Sequence, residues 1–340
     1  MSIVAVYFVA SPLQYLAAQQ IAAHFEPGAR QVLIWYKRSL AAIVRPARWD
    51  ACAYMPWPRW DPLPGWFGRH RRLRQNVRLV AELAGRCDEL HLHSAVFDTE
   101  AINYFLRALP RACGARTLSA RILPDGVISI RRYPLTPAKR LAQHLRKLRR
   151  LAAPELDYTT FAGDRIGSDA SFCDRIYVLP GLPHEYPAAK AVTLPPLAAV
   201  AASPVRGAPR RALVIGQPLT GFGLMDSAGM LSASEEIEQW LRSRNIDQVL
   251  YKGHPKDAQR ELWRPGYEVL DLDEPLESWL AHEHFDAVAG VRSSALLFAK
   301  QIYGADTEVA AFGWDRIRFK SDAEKRDISA VFQACGVALL

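Results

Sequence analysis

Long apolar runs, paired cysteines and nucleotide-loop fingerprints are what this 340-residue chain lacks. No stretch of roughly eighteen apolar residues escapes a charge, a proline or a polar break, so no membrane-crossing helix is expected. The five cysteines, Cys52, Cys87, Cys113, Cys173 and Cys335, are odd in number and form no CxxC pair. That argues against a disulfide framework or a structural zinc site and fits a reducing cytoplasm. Neither GxGxxG nor GxxxxGK[ST] occurs, so the two commonest phosphate-loop motifs are out. No basic residue precedes the apolar run within Met1–Gln14, which therefore reads as a first strand and not as a secretion signal. No internal repeat is found, and 50% hydrophobic with 23% charged residues excludes disorder, collagen and coiled coil.

What the chain has is an uneven charge. Residues 1–200 carry 27 Lys and Arg against 15 Asp and Glu, a net +12, whereas residues 201–340 carry 16 against 20, a net −4. A basic half joined to a mildly acidic one predicts two domains, the first facing something anionic. Short β-rich runs alternate with helical windows in both halves. Residues 3–10, 31–36, 89–93, 121–123 and 175–179 read as strands of the first half, and 212–215, 248–251, 267–270, 286–289 and 308–312 as strands of the second. Helical windows fall at 13–25, 71–84, 101–109, 234–243, with Ser234 as an N-cap, and 293–303. Such alternation predicts an α/β protein with two doubly wound, Rossmann-like domains facing a central cleft. Residues 1–190 form the first domain, the proline-rich stretch 191–211 the connection, and 212–340 the second, whose last helix is a candidate to pack back on the first.

In doubly wound sheets ligands sit beyond the carboxyl ends of the strands. In the second domain one strand ends in Tyr251-Lys252-Gly253-His254-Pro255, with a histidine held at the mouth between glycine and proline. Another gives way to Gly290-Val291-Arg292-Ser293-Ser294, two hydroxyls opening an apolar helix, where free N–H groups favour phosphate. Pro275-Leu276-Glu277 supplies a carboxylate suited to ribose hydroxyls, and Ile215-Gly216-Gln217-Pro218 follows the domain's first strand. Alone, each has a plain structural explanation as a cap or a turn; together on successive strand ends they describe a nucleotide site. In the first domain Arg121–Leu123 runs into Pro124-Asp125-Gly126. Asp125 is the only acidic residue between Glu100 and Glu155, placed to serve as a general base towards a hydroxyl. Ser11-Pro12-Leu13-Gln14 opens a helix after the first strand, on the same side.

These motifs, in this order, resemble the bacterial sialyltransferases of GT-B architecture, above all the lipooligosaccharide sialyltransferase and capsule polysialyltransferase families. The resemblance rests on Ser11-Pro12-Leu13-Gln14, Asp125-Gly126, Lys252-Gly253-His254-Pro255, Pro275-Leu276-Glu277 and Ser293-Ser294. Those families usually have two acidic residues before the glycine. Here the first is Pro124, and the second, the base position, survives as Asp125.

The resemblance implies an inverting, metal-independent transfer of sialic acid from CMP-sialic acid to a hydroxyl of a surface glycan, lipooligosaccharide or capsule, with no cofactor. Asp125 would be the catalytic base, and His254, Ser293 and Ser294 would hold the leaving phosphate. Glu277 would hold the ribose, while Gly216, Gln217, Lys252, Gly253 and Pro255 would line the donor nucleotide. Ser11, Pro12, Gln14 and Gly126 would lie on the acceptor side. Transfer of another CMP-activated acid sugar such as Kdo is the alternative on the same site. A basic nucleic-acid-binding protein is the alternative from another class, but no recognition motif for nucleic acid is present.

Several signals read as structural. Asp271-Leu272-Asp273 sits in an acidic turn, and His91-x-His93 and His282-x-His284 have no further ligand at a useful spacing, so no metal site is expected. Two basic segments remain. In 137–153, Leu141, Leu145, Leu148 and Ala152 share one helical face amid lysines and arginines; in 57–74, three tryptophans and Phe67 are interleaved with arginines. The first reads either as a core-packed helix with a solvated basic side or as a helix on anionic lipid headgroups. The second suits a membrane edge or an anionic glycan. A cytoplasmic protein is expected, with these segments as its means of peripheral contact with the inner membrane.

Overall fold

The structure is a computed structural model that describes residues 2–340 apart from 126–131, 196, 198–208, 255, 273–275 and 281–282, and apart from the side chains of Glu277 and Ser278. Two compact units are present. The first comprises Met1–Val178 and His184–Pro195, the second Leu179–Pro183 and Pro196–Leu340.

The first unit is built on seven strands: β1 (Ile3–Val9), β2 (Arg30–Trp35), β3 (Ala51–Tyr54), β4 (Glu89–Ser94), β5 (Thr117–Ile122), β6 (Cys173–Val178) and β7 (Ala191–Thr193). Their order is β3-β2-β1-β4-β5-β6-β7, every pair parallel. Six of the seven residues of the central strand β1 are buried, as a strand covered on both faces requires. The crossovers carry α1 (Pro12–His24), α2 (Gly68–Ala84), α3 (Glu100–Asn103), α4 (Phe105–Cys113) and α5 (Pro137–Lys147).

The second unit repeats the plan with β8 (Arg211–Ile215), β9 (Gln248–Lys252), β10 (Glu268–Val269), β11 (Ala287–Gly290), β12 (Glu308–Ala311) and β13 (Ala338–Leu339), in the parallel order β10-β9-β8-β11-β12-β13. Its helices are α6 (Ser227–Ser243), α7 (Leu276–Leu280), α8 (Ser294–Tyr303) and α9 (Asp322–Ala334). In chain order this is the 3-2-1-4-5-6 arrangement of a Rossmann fold, with its switch point between β8 and β11. The first sheet follows the same order and adds one strand, with its switch point between β1 and β4.

Some expectations move. The helix read from Ser234 starts at Ser227, because Asp226 is the cap: its carboxylate accepts from the Gly229 N–H at 2.8 Å. Ser234 lies buried in mid-helix, its Oγ accepting from Arg264 Nε at 2.9 Å. The small residues before it carry no apolar period, so the first turns were silent in the sequence. The single window 101–109 divides into α3 and α4 at Tyr104. The stretch 191–211 is not all connection: it opens as β7, on the edge of the first sheet, and closes in β8. Conversely Leu179–Pro183 belongs to the second unit, where the Pro180 carbonyl accepts from Gln301 Nε2 at 2.8 Å. The last helix, α9, is part of that unit too; its Phe332 lies in the unit's core and its Ser329 Oγ accepts from Trp314 Nε1 at 2.8 Å.

Candidate active site

In the first unit the Ser-Pro-Leu-Gln motif builds the start of α1. Ser11 caps the helix by accepting from the Gln14 N–H at 3.3 Å, Pro12 sets its first turn and Leu13 enters the core. Gln14, only 2% exposed, is thereby turned inwards. Its Oε1 accepts from the Ala10 N–H at 2.7 Å, which fixes the amide's orientation and directs Nε2 to donate to Asp125 Oδ1 at 2.8 Å. The carboxyl ends of β1 and β5 are thus joined by one buried amide. Burial pushes the Asp125 carboxyl above the ordinary carboxylate range, while the Gln14 amide and the Lys37 ammonium pull it part of the way back. A carboxylate of raised basicity, held at strand ends with the Gln14 amide beside it, has the properties of a general base. Gly126 lies outside the described residues.

Residues that the sequence did not tie to Asp125 complete these surroundings. Tyr36, directly after β2, is half-buried, and its hydroxyl is pushed up by desolvation and by the Asp125 charge. Its ring stacks on Trp57 at 4.5 Å between centroids. Trp57 in turn lines a cavity of about 340 Å³ with Arg59, Arg69, Lys139 and Arg146 on its walls, together with Asp98 and Glu100 from the segment that leads from β4 into α3. A larger cavity of about 660 Å³, between α4 and residues 159–172, contains none of the candidate residues.

In the second unit the three loops after β9, β8 and β11 are stitched side by side. The Gly216 N–H donates to the Lys252 carbonyl at 2.9 Å, and Gln217 Oε1 accepts from the Arg292 N–H at 3.1 Å. Gly216 is required there: a Cβ would overlap the Tyr251 hydroxyl, which is itself held by Asp257 at 3.0 Å. Gly253 follows β9. His254 is exposed, and its Nδ1 accepts from the Lys256 N–H at 3.1 Å, so the neutral ring carries its proton on Nε2, free to donate. Ser293 caps α8 by accepting from the Ala295 N–H at 3.3 Å, its own O–H remaining available; Ser294 is exposed at the first helical position. Arg292 is anchored by Glu324 at 2.8 Å and lies over the Phe319 ring. An exposed aromatic, Phe222, stands edge-on to His254 with centroids 5.9 Å apart, a neighbour the sequence did not announce. Pro255 lies outside the described residues. Glu277 is placed by its backbone in α7, and its side chain is not among those described.

Of the discounted histidines, His91 and His93 are core groups, and His282 lies outside the described residues. His91 sits between Glu26 at 2.8 Å and Glu89 at 2.7 Å, and fully buried His93 stacks on Tyr7. Among the described residues no group of three or more His, Cys, Asp or Glu is disposed to hold a metal ion, and no helix is long and apolar enough to cross a membrane.

Two Rossmann-like units with polar groups gathered at strand carboxyl ends are the building plan of the GT-B fold. Residues 192–310 match the model of the family Alpha-2,8-polysialyltransferase (POLYST), a sialyltransferase family of the type the short motifs resemble. The match spans Gly216, Gln217, Lys252–Pro255, Glu277 and Ser293–Ser294; Asp125 and the Ser11–Gln14 motif lie before it. No curated protein matches the chain. Among solved structures, the glycosyltransferase SnogD from Streptomyces nogalater is 15% identical, with a TM-score of 0.46, over 100% of this chain and 87% of that one. The ADP-heptose LPS heptosyltransferase II of E. coli is 12% identical, with a TM-score of 0.43, over 92% and 84%. The UDP-GlcNAc 2-epimerase from Neisseria meningitidis is 9% identical, with a TM-score of 0.44, over 100% and 87%.

Proposed function

We propose that the protein transfers sialic acid from CMP-sialic acid to a hydroxyl of a bacterial surface glycan, with inversion and without a metal. The observation that carries this reading is the joining of the Gly216–Gln217, Lys252–His254 and Arg292–Ser294 loops across the switch point of the second unit, within the segment that matches the polysialyltransferase family. In this reading the nucleotide lies over those loops, with Glu277 on the ribose and the Lys252–Gly253 and Gly216–Gln217 backbone against the base. Asp125 takes the proton of the acceptor hydroxyl as that oxygen attacks the anomeric carbon of the donor. The bond from the anomeric carbon to the CMP phosphate breaks, and the departing phosphate receives hydrogen bonds from His254 Nε2–H, the Ser293 and Ser294 hydroxyls and the first N–H groups of α8. Donors fixed in advance towards a leaving anion are worth ~3 kcal/mol each.

The test is transfer from CMP-sialic acid, in EDTA, to galactose-terminated and sialic acid-terminated oligosaccharides, followed as CMP release and as sialylated product. Asp125→Asn is expected to lower kcat by about a hundredfold or more. Because burial raises the folded-state carboxyl pKa, ionised Asp125 costs the fold stability at neutral pH, so the variant should melt no lower than the wild type. Undiminished transfer by Asp125→Asn, or turnover of CMP-Kdo in place of CMP-sialic acid, would overturn the respective parts of the proposal.

A further inference from the structure

Helix α5 is amphipathic the wrong way round for a helix that packs on a core. Its buried side is polar: Gln143, 1% exposed, donates to Asp98 at 3.1 Å, Lys139 pairs with Asp98, and Arg146 reaches Glu100 and Tyr158. Its apolar side faces out. Leu141, Leu145 and Leu148 recur at the spacing of one helical face, and all are about 60% exposed (61%, 59% and 59%); Leu151, in the turn that follows, is 81% exposed. At ~100° per residue Arg140, His144 and Lys147 run along one flank of this ridge. The reading of 137–153 as a core-packed helix is therefore incorrect: the inward side of α5 is occupied by charge-assisted hydrogen bonds, and the leucines are left over.

A second apolar group adjoins it from elsewhere in the sequence. Trp66 and Phe67 are 89% and 73% exposed, at the tip of a tight turn closed by Gly68 N–H to the Gly65 carbonyl at 3.2 Å. Phe67 adopts a left-handed φ of 57°, unfavourable for a bulky residue, and a Cβ at Gly68 would run into the Leu63 carbonyl. The turn thus combines an unfavourable backbone conformation with two aromatic rings presented to solvent. The buried Glu100 fixes this turn beside the end of α5, since it pairs with Arg69 at 2.6 Å and with Arg149, whose guanidinium also donates to the Tyr104 hydroxyl at 3.0 Å.

We infer that this face of the first unit docks on an anionic bilayer surface, the leucine ridge and the Trp66–Phe67 tip entering the interface while the flanking cations meet lipid phosphates. The charge of this segment selects an anionic occupant. No acidic residue lies between Asp125 and Glu155, a stretch holding eight Lys and Arg, and an apolar stripe flanked by one sign of charge is the pattern of an interfacial helix. The cavity lined by Trp57, Arg69, Lys139 and Arg146 opens among the same elements, so a lipid-linked acceptor would be delivered where Trp57 and Tyr36 lead to Asp125.

The test is flotation of the full chain with vesicles of phosphatidylcholine alone and of phosphatidylcholine with phosphatidylglycerol, at low and high salt. Binding is expected to the anionic vesicles, weaker at high salt, and to fall about tenfold or more in the double variant Leu145→Gln/Leu148→Gln. Both leucines are exposed, so the variant should keep the wild-type melting temperature and its response to CMP. Failure to bind either vesicle, or binding that the double variant leaves unchanged, would overturn the inference. So would a wild-type dimer in light scattering that the same substitutions dissociate, because a second copy would then cover the ridge. None of these results depends on the transfer reaction, and loss of CMP binding in the wild type would count against the donor site alone.

Discussion

At Asp125 a buried amide opposes the effect of burial on a carboxyl group. The Gln14 Nε2–H stabilises the charged form, and burial opposes it. Transfer should therefore rise with pH as Asp125 loses its proton, with a midpoint above the ordinary carboxylate range. Gln14→Leu removes the donor and leaves the burial, so the acidic limb of kcat should move to higher pH while the plateau is largely kept. A pH–rate profile for the two proteins checks this, and an unmoved limb would remove Asp125 from the titrating role. Both residues were legible in the sequence as members of separate motifs. Their bond was not, because nothing local links positions so far apart in the chain. Tyr36 escaped because it follows β2 outside every motif, and Trp57 was legible only as part of the basic aromatic stretch 57–74, since it follows an edge strand, β3, whose four residues Ala51–Tyr54 are all half-buried and too short to show a period.

At the scale of elements, the central strands could be read because parallel strands buried on both faces are continuous apolar runs. β1, β8 and β11 are of this kind, whereas the edge pieces β7 and β13 carry two or three residues and no pattern. The loops after those legible strands were also legible, since glycine, proline and paired hydroxyls mark them. What remained hidden was how tightly they fit. Gly216 has no room for a methyl group against Tyr251, so Gly216→Ala should cost about 1–3 kcal/mol in denaturant unfolding, with a weaker response to CMP because the Tyr251–Asp257 support and the Gly216–Lys252 bond must shift. Wild-type stability in that variant would show the loop to be slack. The leucine face of α5 shows the opposite limit: its period was visible, but which side faces inwards was decided by Asp98 and Glu100, acids that lie elsewhere in the chain.

For the whole molecule, the uneven charge now has a distribution. The basic half forms a unit whose arginines crowd two buried acids and flank an exposed apolar ridge, while the mildly acidic half forms the unit with the loops assigned to the nucleotide. Both units have the strand order that places ligands at the carboxyl ends. The central claim is that the second unit takes a cytidine nucleotide, and thermal unfolding of the full chain with CMP, UDP, ADP and no nucleotide tests it most directly. A ligand present at ~100 times its Kd adds about 2.7 kcal/mol to the state that binds it. The account predicts a rise in melting temperature with CMP alone, lost in His254→Ala. An equal or larger rise with UDP or ADP, or none with CMP, would contradict it.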